Sequence, residues 1–333
     1  MKTRRFGICI FTLSALLAGL TLLHLQIGFA DISLPQLLRI LRGAGTAQEN
    51  LMVFDFRMVR TCLAILIGSG LALSGTVFQT VTHNELASPG VLGVNAGAGL
   101  GVMLLVYLSG PEKAPELWAM PLAAIAGAFL SASVIYRLSC RTGRNLSTYT
   151  LILTGIAMSA GIHALQLLLI VRLDPQKFQT INTWIIGTIS GTTWQHVVLI
   201  LPLILLCGLF LLSRHMDLNL LSLLEENMIG LGMHVNHARL IYLMTAVIIA
   251  ACCVAIGGSI SFVGLIAPHI ARRLVGVQHI RQLPAAALLG AILVLSADCV
   301  GRTIAAPDEL LLGTVLALVG APYFLYILSR KTG

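Results

Sequence analysis

Long apolar stretches with almost no charge are the feature that most restricts how this chain can fold. A helix that spans a membrane needs about 20 consecutive, mostly apolar residues. Ten stretches approach this requirement, at residues 8–28, 60–81, 91–108, 119–138, 147–171, 194–213, 238–257, 261–275, 283–302 and 309–329. Only 10% of the 333 residues are charged, whereas soluble domains carry about 25%. The sequence therefore predicts an all-α integral membrane protein with about ten transmembrane helices, in a single transmembrane domain over residues 1–333.

Basic residues are distributed unequally between the two sides of this predicted protein. Ten spans place both termini on one side, which carries 13 basic and four acidic residues, against eight basic and nine acidic residues on the other. Because the more basic loops remain inside, both termini are expected in the cytoplasm and the protein in the cytoplasmic (inner) membrane. The apolar run at 8–25 is longer than a signal-peptide core, so we expect a retained first helix. The basic clusters lack the interleaved aromatic residues of a nucleic-acid-binding stripe, and no nucleic-acid partner is expected.

Motifs for ATP binding, metal binding and hydrolysis are missing from the sequence. No G-x-x-x-x-G-K-[ST] occurs, so the chain cannot hold ATP through a P-loop. H-E-x-x-H, G-x-S-x-G and C-x-x-C are also missing, and we expect no metal site, no cofactor and no enzymatic activity. A polytopic membrane enzyme would need convergent acids or histidines. The one cluster that could serve comprises Glu225, Glu226, His234 and His237.

Ionisable residues at membrane depth would indicate a second alternative, a secondary transporter driven by an ion gradient. The one clear acid is Asp298, near the outer end of the ninth span. His24 and His163 also lie in spans, where a lone histidine is more often a packing or hydrogen-bonding residue. The sequence therefore favours an external source of transport energy.

Six motifs follow one another along the chain. They lie at residues 56–60 (F-R-M-V-R), 68–79 (G-S-G-L-A-L-S-G-T-V-F-Q), 84–97 (from N-E-L-A-S-P to L-G-V-N-A-G), 184–191 (W-I-I-G-T-I-S-G), 258–269 (G-S-I-S-F-V-G-L-I-A-P-H) and 297–322 (from A-D to G-A-P). In this order they resemble the permease subunits of ABC importers for iron–siderophore complexes, haem and cobalamin, the FecCD type. Val59, Glu85 and the pair Leu311–Leu312 depart from the family pattern, chiefly at prolines. These departures concern the geometry of helix ends.

The resemblance implies a fold like the cobalamin-importer permease, a type II ABC importer. It also implies partners: two cytoplasmic ATP-binding subunits, a second permease subunit in a homo- or heterodimer, and an extracytoplasmic substrate-binding protein. The chain would move the chelate with ATP that a partner hydrolyses. A ferric siderophore is the expected cargo, and cobalamin or haem remains open.

Three arginines, Arg57, Arg60 and Arg302, fall at the outer ends of spans. The planar guanidinium group binds carboxylates in a bidentate manner, and the resemblance implies that acidic residues of the binding protein dock there. The alternative is that these side chains extend to lipid headgroups.

A cytoplasmic segment at 214–239 resembles the element that couples such permeases to their ATPases. Its apolar residues would form one face of a short helix, which the glycines end. The predicted coupling residues are Leu220, Leu223, Leu224, Glu225, Glu226, Gly230, Leu231 and Gly232. The alternative is a surface helix that lies on the membrane.

Glycines and polar residues within the spans complete the candidate sites. The repeat of Gly93, Gly97 and Gly101 predicts close helix packing. Gly187 and Gly191 are expected to serve packing or an outer gate, next to a re-entrant helix before the sixth span. The resemblance implies that the fifth and tenth spans line the pathway. Candidate lining residues on the fifth span are Thr154, Ser159, His163 and Gln166, which are expected to share roughly one helical face.

Overall fold

The computed structural model describes residues 2–28, 32–109, 118–140, 148–305 and 308–331, and every regular element within them is helical. The α-helices are α1 (Lys2–Gln26), α2 (Leu34–Arg39), α3 (Ala47–Asn50), α4 (Met58–Thr82), α5 (Val94–Leu108), α6 (Ala119–Ser139), α7 (Thr148–Ile170), α8 (Pro175–Ile186), α9 (Trp194–Ser213), α10 (His215–Leu221), α11 (Glu225–Gly230), α12 (Val235–Gly257), α13 (Val263–Val275), α14 (His279–Ile304) and α15 (Leu312–Lys331). Two π-helical segments, Ile40–Ala44 and Leu51–Arg57, and a 3₁₀ turn, Pro89–Leu92, complete the described elements.

Each predicted span corresponds to one helix: α1, α4, α5, α6, α7, α9, α12, α13, α14 and α15. In the described residues, seven helices are long and apolar enough to cross a membrane, and α5 and α15 are shorter apolar helices. The ten helices alternate in direction, so α1 begins and α15 ends at the same end of the bundle. We call this the near end, and the end where α1 finishes the far end. The predicted all-α membrane fold with about ten spans is confirmed.

Helix α4 forms the centre of the bundle. It packs along α14, α12 and α13, and nearly all of its residues from Ile67 onward are buried. Two glycines allow these close contacts: a methyl group on Gly68 would overlap the carbonyl group of Gly290, and one on Gly75 would overlap that of Gly264. Small residues allow membrane helices to approach until their backbones touch, so α4, α13 and α14 form one tightly packed unit.

The predicted glycine repeat occupies the interface between α5 and α6. Methyl groups on Gly97 and Gly101 would overlap the backbone of Gly127 and Ala123, which confirms the predicted packing role of these two positions. Gly93 differs from them, because its φ of 70° places it in the left-handed region before α5 begins. It is therefore a turn residue, at a position that favours glycine.

Helix α8 enters the bundle from the far end and stops inside it. It ends at Gly187, whose added methyl group would lie 3.1 Å from the carbonyl oxygen of Gly257; a methyl group on Gly257 would in turn lie 3.0 Å from Ile67. Ile67 is nine residues into α4, so the end of α8 lies about 14 Å inside the bundle at 1.5 Å per residue. Beside it, residues 258–262 form an irregular link between α12 and α13. Such backbone is tolerated at membrane depth where protein covers it.

Candidate functional site

A buried carboxylate lies at the centre of the far end. Asp298, on α14, is only 2% exposed and accepts two hydrogen bonds from Arg60 of α4, at 2.8 and 2.9 Å. His24 of α1 lies 2.8 Å from the same carboxylate through Nε2, and its Nδ1 lies 2.8 Å from the Thr61 hydroxyl. A bidentate arginine–carboxylate pair is strong and fixes the orientation of both groups. The cluster therefore ties three helices together.

Glu309 extends this cluster toward the far-end surface. It accepts hydrogen bonds from Arg60 at 2.8 and 3.2 Å and from the Ser190 hydroxyl at 3.2 Å. The Nε atom of Arg302 lies 3.9 Å from its carboxylate. The Glu309 side chain is 43% exposed, and it is the carboxylate of the cluster that solvent reaches most freely. It links α4 and α14 to the loop that follows the re-entrant helix α8.

Two further arginines bind the carbonyl groups at the end of α1. Arg57 Nη1 donates to the carbonyl oxygens of Leu25 and Gln26, at 2.8 and 2.6 Å. Arg302 donates to the carbonyl oxygens of His24 and Ile27. The last carbonyl groups of a helix lack partners within the helix and carry partial negative charge. The two guanidinium groups satisfy this helix end and fasten it to α14 and to the π-helical segment Leu51–Arg57 that precedes α4.

The structure thus brings the three predicted docking arginines together, but each is already engaged within the chain. Arg57 and the side chain of Arg302 are only 5% and 6% exposed, and that of Arg60 is 15% exposed. The carboxylates that bind Arg60 lie 238 and 249 residues further along the chain. One sign of this network is visible in the sequence, since Asp298 is an acid inside an otherwise apolar span. No comparable signal in the sequence identifies Glu309.

The predicted coupling segment forms two short helices, α10 and α11, at the near end. Leu218, Leu221 and Met228 point inward and are fully buried. Among the predicted coupling residues, Leu220 and Glu225 are half-buried. The exposed ones are Leu223, Leu224, Glu226, Gly230, Leu231 and Gly232. Leu224 is 75% and Leu231 63% exposed. The segment is therefore a compact projection with an apolar outer surface.

Buried polar contacts fasten this projection to the spans. Glu225 at the start of α11 accepts a hydrogen bond from Arg239 of α12 at 3.1 Å, and Arg239 is 4% exposed. Asp217 of α10 accepts one from the Tyr242 hydroxyl at 2.7 Å. Gly232 has a φ of 80°, which suits the turn between α11 and α12 and favours glycine there.

His279, the first residue of α14, joins the projection to α4. The side-chain oxygen of Asn219 on α10 accepts from the backbone N–H of His279 at 3.0 Å and lies 2.8 Å from its Nδ1. The Nε2 atom of His279 lies 2.7 Å from the Thr80 hydroxyl of α4. His279 is 2% exposed. A displacement of α10 therefore acts directly on two long helices.

The acidic and histidine residues of the enzyme alternative lie on α11 and around the start of α12. Glu225 pairs with Arg239, while His234 and His237 are exposed. Across the residues that the structure describes, no three His, Cys, Asp or Glu side chains are grouped so that they could hold a metal ion.

The predicted pathway residues of α7 fall into two groups. His163 Nδ1 lies 2.9 Å from the Gln166 side-chain oxygen, and Gln166 donates to the carbonyl oxygen of Ala96 on α5 at 3.2 Å. Ser159 lies on the same side of α7, about 40° from His163 at 100° per residue. Thr154 is about 140° away from Ser159 on the same basis. The expected single face therefore comprises three residues, and Thr154 lies outside it.

Gly187 directly follows the re-entrant helix and Gly191 lies four residues further on, and both have positive φ angles, of 99° and 73°. Gly187 accepts a hydrogen bond from the backbone of Gly313 at the start of α15, at 3.2 Å. A methyl group on Gly313 would overlap the carbonyl group of Ile186. Gly191 is exposed, with nothing within 4 Å of an added methyl group. Gly187 is thus a packing position between α8 and α15.

Comparisons with known proteins match the chain over nearly its full length. The model of the FecCD transport family matches residues 16–330. The iron(3+)-hydroxamate import system permease protein FhuG of Bacillus subtilis is 40% identical over 313 residues, 92% of each chain. The hemin transport system permease protein HmuU of Yersinia pestis is 36% identical over 280 residues, 83% of each chain. A metal-chelate type ABC transporter in an inward-facing conformation superposes with a TM-score of 0.86 at 31% identity, over 96% of this chain and 98% of the other.

Proposed function

The chain belongs to the FecCD transport family, and we propose that it is the permease subunit of a binding-protein-dependent ABC importer for a ferric siderophore. The observation that carries this proposal is the family match over residues 16–330. Membership makes the chain a multi-pass membrane permease, a transport component without catalysis of its own. The relatives named above carry ferric hydroxamate and hemin. The higher identity to the hydroxamate permease supports a siderophore, and haem or cobalamin is the alternative cargo.

We propose that the near end faces the cytoplasm and that α10 and α11 bind the ATPase subunits. The exposed side chains of Leu223, Leu224 and Leu231 offer apolar contacts to a partner. The ion pair of Glu225 with Arg239 and the contacts of His279 hold this projection to the spans. Closure of two ATPase subunits would then move whole helices as rigid bodies. ATP hydrolysis in these partners would supply the energy for transport.

The far end is proposed to receive the extracytoplasmic binding protein. Because the arginines are already paired, an acidic side chain of that protein would have to compete with an internal carboxylate. Glu309 is the carboxylate most readily displaced, since its side chain is 43% exposed. Arg60 is then the arginine to which the incoming carboxylate binds, while Arg57 and Arg302 keep the end of α1 in place.

The cargo would pass between this chain and a second permease subunit. The exposed faces of α7 and α15 carry large apolar side chains, including Leu153, Ile156, Leu318 and Val319. His163 is exposed on α7 and would contribute a polar group to the pathway. A bulky chelate requires a wide passage with weak contacts, for which these side chains are suited.

The test is uptake of labelled ferric hydroxamate, haem and cobalamin by cells that lack the chain, with and without the chain restored. We expect ferric hydroxamate uptake to depend on the chain and to stop when ATP is depleted. Leu224→Asp should abolish uptake and co-purification of the ATPase, whereas Ile280→Ser, at an exposed near-end position outside the projection, should preserve both. Uptake that continues without ATP while an ion gradient is maintained would instead support a secondary transporter.

A further inference from the structure

A cavity of about 500 Å³ lies at the near end, between the start of α1 and the turn that joins α13 to α14. Two arginines face it, Arg5 from α1 and Arg281 from the first turn of α14. Its other lining residues are Phe6, Leu274, Val275, Gly276, Val277 and Gln278. The cavity therefore combines two positive charges with an apolar wall, and none of the predicted coupling or pathway residues belongs to it.

Neither arginine has a carboxylate partner in the described residues, unlike Arg239 and Arg272 at the same end. Arg239 pairs with Glu225 and Arg272 with Glu85. Within the described ranges, no acidic side chain forms a salt bridge with Arg5 or Arg281. The guanidinium carbon of Arg281 instead lies 5.9 Å from the centre of the Phe6 ring, a cation–π contact that fixes the charge beside the cavity. Charge complementarity therefore favours an anionic occupant.

The apolar part of the wall is exposed where a membrane would surround it. Leu274 is 54% and Val277 59% exposed, and both lie just beyond the buried part of α13. Helices α1 and α14, which flank the cavity, are membrane-spanning by length and composition. The cavity therefore lies at the depth where lipid headgroups meet acyl chains. A soluble anion would use the arginines and leave the apolar wall exposed.

We propose that this cavity binds an anionic phospholipid, whose phosphate group contacts Arg5 and Arg281 and whose acyl chain covers Leu274 and Val277. Basic pockets between transmembrane helices are suited to anionic headgroups. The turn at Gly276, with a φ of 88°, opens the space for the headgroup. The bound lipid would fasten α1, which is otherwise poorly buried, to the unit of α13 and α14.

The experiment measures lipid retention by the purified full-length chain. The protein is incorporated into nanodiscs that contain equal amounts of phosphatidylglycerol and phosphatidylcholine, extracted in detergent, and examined by native mass spectrometry. The test variant is Arg5→Gln with Arg281→Gln. The matched control is Arg4→Gln with Arg273→Gln, which removes two exposed charges from the same end outside the cavity lining. Arg281→Lys keeps the charge but removes the planar group.

We expect the native chain and the control to retain phosphatidylglycerol in preference to phosphatidylcholine. The test variant should lose about fivefold in retention for each arginine, about 25-fold in total, at the usual value of a basic residue near an anionic surface. Arg281→Lys should retain an amount of phosphatidylglycerol between those of the native chain and the test variant. This intermediate result distinguishes loss of binding from loss of folding. Equal losses in the test and control variants, no preference for the anionic lipid, or displacement of the lipid by millimolar inorganic phosphate would overturn the proposal. Because the measurement needs no transport, it is independent of the proposed function.

Discussion

Two groups of arginines, one at each end of the bundle, look alike in the sequence but occupy opposite environments. At the far end, Arg60 binds both Asp298 and Glu309, and Arg302 binds the carbonyl groups at the end of α1. At the near end, Arg5 and Arg281 face an open cavity, and no described carboxylate pairs with them. The far-end charges are desolvated by protein, whereas the near-end charges lie where water or lipid can reach them.

This difference shows which charges are structural and which are available to a partner. Burial of an ion is costly unless another charge or a set of hydrogen bonds replaces its water. The far-end arginines therefore need their internal partners, and removal of one partner leaves the others buried and uncompensated. An arginine at the membrane surface has no such requirement, so its substitution should affect binding more than stability.

The largest expected effect follows from removing the buried acid. Asp298→Ala leaves the guanidinium group of Arg60 without its most buried partner, and we expect a loss of about 3–5 kcal/mol in the free energy of unfolding. Asp308→Ala removes an exposed carboxylate ten residues away and should change stability little. Unfolding in mixed detergent micelles measures both. If the two variants unfold alike, the far-end network is not structural.

The near end also has one buried arginine, Arg239. It tests whether burial, rather than the end of the bundle, decides how much an arginine contributes to stability. Arg239→Ala removes the hydrogen bond to Glu225, and the expected loss is about 1.5–3 kcal/mol, the usual value for a hydrogen bond to a charged group. Arg214→Ala, at an exposed arginine of the same end, serves as the control. The loss should appear both in thermal unfolding and in co-purification of the ATPase. Equal stability of the two variants would contradict the role of burial.

A smaller effect is expected at the exposed member of the far-end network. Glu309→Gln retains the size and some hydrogen bonding of the side chain, and since the group is 43% exposed, the loss should not exceed about 1 kcal/mol. The same variant should bind the extracytoplasmic protein at least as tightly, because one competitor for Arg60 is weakened. Titration of the binding protein against the purified permease tests this, and a marked loss of affinity would show that Glu309 itself makes the contact.

The smallest effect on stability is expected at Arg5 and Arg281, the two arginines that face the near-end cavity. The double variant of Arg5 and Arg281 to glutamine should unfold within about 0.5 kcal/mol of the native chain in a detergent free of anionic lipid, as surface substitutions usually do. The comparison between the two ends fails if this variant is as unstable as Asp298→Ala.

The helical architecture could be predicted from the sequence because each span is recognisable from a local property, its run of apolar residues. The charge asymmetry and the motifs likewise placed Arg57, Arg60 and Arg302 at one end. Their partners could not be predicted in the same way. The contact of Arg60 with Asp298 joins residues 238 positions apart, and no local pattern encodes such a pairing.

The re-entrant helix could likewise be predicted in its position along the chain but not in its depth. The sequence indicated a helix before the sixth span, and the structure has α8 at that place. Its depth depends on contacts between Gly187, Gly257 and Ile67, which belong to three separate segments. The apolar pattern of α8 alone would suit a surface helix equally well. Similarly, Thr154 does not share the face of Ser159, because the helical period places the two about 140° apart.

Helix α14 is held by side-chain contacts at both of its ends, so a movement at one end is transmitted to the other. Near its first residue, His279 is bound to the projection formed by α10 and α11, and 19 residues later Asp298 is bound to α1 and α4. The two points are about 29 Å apart at 1.5 Å per residue. A tilt of about 5° about the near end would displace Asp298 by about 2.5 Å, more than a hydrogen bond can stretch. When α14 tilts, either α1 and α4 must move with it, or the buried ion pair between Arg60 and Asp298 must break.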